Sequence, residues 1–158
     1  MPPSGLSLRL TIDADAALPA GYVEEDLASL VEFALRDLDC EGEWEVSILF
    51  TSDEHIQHMH DQFMGIDTPT DIMTFPYEED EFAPVGEFVQ GGDLVISVET
   101  ARVNAIDHGW SHLQELWFLV LHGVLHLLGW NDTDAEMRKA MLDRQGALLS
   151  GWERVRSA

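Results

Sequence analysis

The chain has one cysteine, Cys40, and one lysine, Lys139. A lone cysteine cannot close an internal disulfide, so no disulfide framework holds the fold and the sequence suits a reducing compartment. Cys40 itself reads as a small apolar residue near a helix end. Long apolar runs are missing too. The longest, Leu116 to Leu128, spans 13 residues and carries His122 and His126, too short and too polar for a bilayer. No basic segment followed by an unbroken apolar run opens the chain, so no signal peptide is expected and the expected location is cytoplasmic. There is neither a G-x-x-x-x-G-K-[ST] loop nor a G-x-G-x-x-G after a strand, which leaves nucleotide cofactors without a binding motif. Positive charge is scarcest of all. Eight basic residues face thirty acidic ones, for a formal charge of −22 at pH 7. Disorder does not explain this, since 46% of the residues are hydrophobic and well patterned. The expectation is a solvated acidic surface suited to molar salt, where a Debye length of about 3 Å screens self-repulsion.

The 158 residues amount to one domain, 1–158, with no internal repeat. Leu6, Leu8, Leu10 and Ile12 alternate with polar residues and predict a half-buried strand. Helical spacing follows from Val23 to Leu38, then a second alternating strand, Trp44 to Phe50. Thr51-x-x-Glu54 predicts a capping box opening a short helix, with Ile56, Met59 and Phe63 facing inward. Thr70 to Phe75 reads as a third strand stopped by Pro76, and Tyr77 to Gly92 as an acidic loop. Asp93 to Val98 is a fourth strand whose continuous apolar run suits an inner position. A helix from Glu99 to Asp107 precedes the long apolar helix capped by Ser111-x-x-Gln114. Met137, Met141, Leu142, Leu148 and Leu149 mark a last one. The class is α+β: one small sheet covered by helices, with the histidine-bearing helix central because it is apolar nearly all round.

Chemistry concentrates in His122-Gly123-Val124-Leu125-His126-Leu127-Leu128-Gly129-Trp130-Asn131-Asp132. Histidines four apart on a helix share one face and can grip one metal ion, as in the H-x-x-x-H core of zinc hydrolases. Gly129 suits a left-handed helix end. Beyond it, Asn131 or Asp132 is placed to return an oxygen ligand, and three protein ligands with one open position describe a catalytic zinc site. A purely structural reading competes: a histidine hydrogen-bonded within the core, and Asp132 capping the next helix beside the Thr133-x-x-Glu136 box. Glu115, seven residues before His122, falls on the same helical face as a partner of the site or a proton acceptor; its alternative is an exposed or capping acid in the first turns. His55, His58 and His60 read as a polar surface, since residues five apart do not share a face. Glu78 to Glu81 reads as a solvated acidic run.

This central stretch resembles the H-G-x-L-H-L-x-G-Y-D-H signature of the YbeY family, metal-dependent endoribonucleases of ribosomal RNA maturation and ribosome quality control. His122, Gly123, Leu125, His126, Leu127 and Gly129 match it, with Trp130 as an aromatic exchange. Phe63-x-Gly65-x-Asp67-x-Pro69-Thr70-Asp71-Ile72-Met73-Thr74-Phe75-Pro76 resembles the family's Y-R-G-x-D-x-P-T-D-V-L-S-F-P block, and Gly92-Asp93-Leu94-Val95-Ile96-Ser97 its G-D-I-V-I-S strand. The blocks run in the family's order over nearly the whole length. The resemblance implies a four-stranded mixed sheet with about five helices, one Zn2+ or another divalent ion held by His122, His126 and Asp132, and Thr70 and Asp71 lining the cleft. It also implies ribosomal RNA as substrate, with the small ribosomal subunit and its assembly proteins as partners.

Two positions depart from the pattern. The family's third histidine falls on Asp132, a harder ligand that tolerates other divalent ions. Its arginine after the aromatic residue falls on Met64, which removes an obvious phosphate partner. Two other functions share parts of the pattern. A metallopeptidase has the H-x-x-x-H-x-x-G-x-x-D spacing, but its general-base glutamate is here Gly123. A metal-stabilised ribosome-assembly factor that binds without cutting is consistent with Met64 and the acidity.

Overall fold

A computed structural model describes residues 5–77 and 89–157. Strand β1 (Leu6–Ala14) is followed by α1 (Glu24–Asp37), β2 (Gly42–Thr51) and α2 (Asp53–Met64). Then come β3 (Ile72–Pro76), β4 (Gln90–Ser97), α3 (Val98–His108), α4 (His112–Leu127) and α5 (Ala135–Ser157). The sheet order is β1-β2-β4-β3, with β1, β2 and β4 parallel and β3 antiparallel to β4. This is the expected α+β class with a mixed four-stranded sheet and five helices. No helix among the described residues is long and apolar enough to cross a membrane.

The parity of β4 explains its apolar run. Leu94 and Ile96 point into the main core, while Val95 joins Ile56 and Met73 on the opposite face, under α2. A strand buried on both sides has no solvent face to mark with polar residues. The main core is completed by Leu27, Leu30 and Leu35 of α1, by Trp152 of α5, and by α4. Helix α4 packs against β3, β4, α1, α3 and α5 at once, which is why residues on nearly every side of it are apolar. Its start is a full capping box: Ser111 accepts from the Gln114 N–H, and the Gln114 side chain accepts from the Ser111 N–H.

Several boundaries differ from the sequence expectation. Thr51 is the last residue of β2, and Ser52 caps α2 by accepting from the His55 N–H. Asp134, not Thr133, caps α5, accepting from the Met137 N–H at 2.8 Å. In both places neighbouring Ser, Thr and Asp residues carry equivalent acceptors, and tertiary packing selects among them. The third strand starts at Ile72 and includes Pro76, which an edge strand tolerates. The expected loop to Gly92 is cut short because β4 begins at Gln90; residues 78–88, with the acidic run, lie outside the described residues. Phe63 is exposed rather than inward. Phe63 instead packs edge-on against Phe75.

Gly123 sets how closely α4 lies on the sheet. A β-carbon there would come within 2.7–2.9 Å of the Leu94 and Ile72 methyl groups. Alanine normally gains about 1 kcal/mol over glycine in a helix, but overpacking a filled core costs about 1–3 kcal/mol. Gly123→Ala is therefore expected to lower the thermal midpoint by a few degrees, at roughly 2–4 °C per kcal/mol. An unchanged or raised midpoint would contradict the close approach.

Candidate metal centre

The end of α4 builds the site. Leu128 closes the helix and Gly129 takes φ 93°, a left-handed value that glycine adopts without strain. The Gly129 N–H donates to the His126 carbonyl and the Trp130 N–H to the Leu125 carbonyl, both at 3.0 Å. This paired arrangement reverses the chain tightly. The reversal brings the Trp130 carbonyl to within 2.9 Å of His126 Nδ1 and returns Asp132 to the histidine face.

His122, His126 and Asp132 meet as a group, with one candidate ligand atom each and all three atoms within 4.8 Å of one another. The two Nε2 atoms are 3.0 Å apart, and Asp132 Oδ2 lies 3.7 Å from one and 3.9 Å from the other. The point equidistant from these three atoms is about 2.1 Å from each, the length of a Zn–N or Zn–O bond. Asn131 is not the oxygen that returns. Its Oδ1 accepts from the Thr133 N–H and hydroxyl. Nor does Asp132 cap α5, since Asp134 does.

The hydrogen bonds around the rings decide which nitrogens are free. His122 Nδ1 donates to Gln145 Oε1 at 3.0 Å, and the Gln145 amide is oriented by donating to the Phe118 carbonyl at 3.2 Å. His126 Nδ1 donates to the Trp130 carbonyl. With Nδ1 protonated in each neutral ring, both Nε2 lone pairs face the same point, and partners of this kind orient metal-binding imidazoles. Burial and the neighbouring His122 hold His126 below the ordinary imidazole value, partly offset by Asp132 and the Trp130 carbonyl. Its folded form thus stays neutral at a pH where an unfolded histidine is protonated, and this contribution to stability is lost as pH falls below about 6.5. A neutral ring is also the form a metal requires.

A cleft of about 290 Å³ opens beside His122. Asp71 borders it, its carboxylate accepting from the Asn104 amide at 3.4 Å. Thr70 bonds Asp71 at 3.5 Å but lines a separate groove with Phe63 and Met64. Glu115 is buried against this cleft, only 2% exposed, and accepts from His108 Nδ1 at 2.8 Å. It is neither an exposed acid nor a helix cap. Gln145, Asn104 and His108 were not singled out from sequence. They arrive from α5 and α3, and no local spacing links them to the histidine pair. His55, His58 and His60 lie apart from the centre: His55 Nδ1 is near Asp15 and Thr51, and His60 Nδ1 donates to the Thr68 carbonyl.

Comparison with known proteins is consistent with this picture. Residues 12–153 match the family described as Endoribonuclease YbeY. A protein of that name from Bacillus licheniformis is 34% identical over 158 residues, covering 94% of this chain and all (100%) of the relative. One from a Synechococcus species is 38% identical over 138 residues, 84% of each chain. One from a Picosynechococcus species is 43% identical over 109 residues, 67% of each. A solution structure from Thermotoga maritima superposes with a TM-score of 0.63 at 24% identity, over 94% of this chain and 93% of the other, and so shares the fold.

The role of Gln145 is open to a direct check. Gln145→Ala frees the His122 ring and is expected to weaken zinc binding about 10–100-fold, the usual cost of removing such a partner. Competition against a chromophoric chelator measures it, and an unchanged affinity would show that the ring needs no support from α5.

Proposed function

The chain belongs to the YbeY endoribonuclease family, and from that premise we propose that it is a zinc-dependent endoribonuclease acting in ribosomal RNA maturation and ribosome quality control. The observation that carries this reading is the convergence of His122 Nε2, His126 Nε2 and Asp132 Oδ2 on one point at zinc-bonding distance, beside an open cleft. Bound zinc supplies Lewis acidity: it lowers the pKa of water towards about 7 and polarises a phosphoryl oxygen. The chain's own residues prepare the place for that chemistry. Gln145 and the Trp130 carbonyl hold both imidazoles in the tautomer that presents Nε2. Asp132 adds one negative charge, which leaves the loaded site cationic and attractive to a phosphodiester. Asp71 takes part in lining the substrate cleft, while Thr70 orients it from the neighbouring groove. Glu115 acts at the far end of the cleft through the His108 ring it holds. In this reading residues 1–158 work as one metallohydrolase domain in the cytoplasm, with the small ribosomal subunit and its assembly proteins as partners.

The metallopeptidase alternative meets a steric objection. The water-activating glutamate of those enzymes would stand at position 123, where even a β-carbon presses on Leu94 and Ile72. The binding factor that does not cut draws on a different observation: among the described residues, no Lys or Arg lines the cleft beside His122.

Zinc-loaded protein incubated with structured ribosomal RNA and, separately, with casein distinguishes the three. Cleavage of RNA alone is expected, falling at least 100-fold in His126→Ala, since loss of the ion removes the several kcal/mol it contributes to the transition state. Equal RNA cleavage by His126→Ala would overturn the hydrolase reading, as would ribosome association without cleavage. Casein cleavage would favour the peptidase.

A further inference from the structure

We propose that the cleft beside the metal centre is a subsite for one unpaired nucleobase and its ribose, stacked on the Trp110–His108 aromatic cluster, so that RNA is held there by stacking rather than by phosphate neutralisation. This rests on the reading of the chain as an RNA hydrolase and names the part of the substrate that the cleft takes.

The aromatic cluster is built rigidly. Trp110 follows Gly109, the left-handed residue that ends α3, and its N–H donates to the Ala105 carbonyl at 2.9 Å. Its ring lies 4.7 Å from His108 and 5.0 Å, edge-on, from Phe118. His108 is fixed in turn by the buried Glu115 carboxylate. Yet Trp110 is 38% exposed. Trp110 stands beside the cleft, its ring packed against two rings of the cleft lining, His108 and Phe118, and still open to solvent. Such a face is preorganised for stacking and binds at little entropic cost.

Its position suits a nucleotide attached to the scissile phosphate. Glu115 and His122 are two turns apart on α4, about 10.5 Å along the axis, and both reach the same cleft. Charge then selects which part of the nucleotide enters. Besides His122, the cleft offers Asp71, Asn104, His108, Glu115 and Gln145, with no ammonium or guanidinium among the described residues that line it. Two carboxylates disfavour a phosphate but accept from ribose hydroxyls and base amino groups. Elsewhere, Arg9, Arg36, Lys139, Arg144 and Arg156 are each paired with a carboxylate. Arg138 lies near the ligand-bearing turn, 3.5 Å from the Asp132 carbonyl. With Arg102 and Arg154, which are exposed and also outside the cleft lining, it offers a few phosphate contacts at most. The base and sugar fit the cleft, and the phosphate belongs at the cation.

The test is binding of a labelled single-stranded oligoribonucleotide to the zinc-loaded full chain, read by anisotropy at early times across KCl concentrations, with cleavage followed in the same samples. Trp110→Ala is expected to weaken binding about tenfold or more, and Trp110→Phe to retain most of it, because any aromatic face stacks. An oligonucleotide lacking its bases should lose as much on the unaltered protein. The logarithm of affinity should fall against the logarithm of salt with a slope no steeper than about −2, the share of three phosphates on a single strand. Unchanged binding by Trp110→Ala, or a slope of about −4 or steeper, would overturn the proposal. If RNA is cut in a zinc-dependent way while Trp110→Ala behaves as the unaltered protein, the subsite fails and the hydrolase reading stands. Trp110-dependent binding without cleavage supports the subsite and sinks the hydrolase.

Discussion

Two imidazole nitrogens facing each other at 3.0 Å, each already committed to present a lone pair, are the constraint on which the site depends. Two such lone pairs repel unless something positive lies between them, and burial works against protonating His126. A cation removes the conflict at once. Asp132 adds the negative charge that makes the same spot attractive to a divalent ion. In the proposed reading a preference for a metal arises from the tautomers as much as from the identities of the three residues. Those tautomers are set by a backbone carbonyl one turn on, at Trp130 within the motif, and by the Gln145 amide from another helix.

The fold serves this arrangement by holding α4 still. The helix is enclosed by sheet and helices on almost every side, and glycine at position 123 lets it rest directly on β4 and β3. The tight turn at Gly129 then converts the helix axis into a fixed return path, so that Asp132 approaches from outside the helix. Helix α5 closes the third side and delivers Gln145. A shift of any one of these would separate ligands that lie 3–4 Å apart.

Much of this was legible in the sequence. The alternation of β1 and β2, the capping box at Ser111, the glycine-ended helix and the histidine pair each depend on residues near one another in the chain, where spacing alone decides geometry. The choice between Asn131 and Asp132 was legible only through the family resemblance, because spacing alone does not say which of two adjacent side chains bonds locally to Thr133. Gln145, 23 residues from the ring it supports, was not legible, nor was the bond between His108 and the buried Glu115. Such pairings are set by tertiary packing, which has no period to read. The helix caps at Ser52 and Asp134 were displaced by one residue for a related reason: adjacent side chains with the same acceptor chemistry compete for one N–H.

In the proposed reading the three ligand atoms hold one zinc ion with room for a further oxygen. X-ray absorption at the zinc edge on stoichiometrically loaded protein reads that shell. One ion per chain is expected, in a four-coordinate shell of nitrogen and oxygen at about 2.0–2.2 Å, with the outer-ring scattering of two imidazoles. A shell without imidazole scattering, or a protein that does not retain zinc through gel filtration, would contradict it.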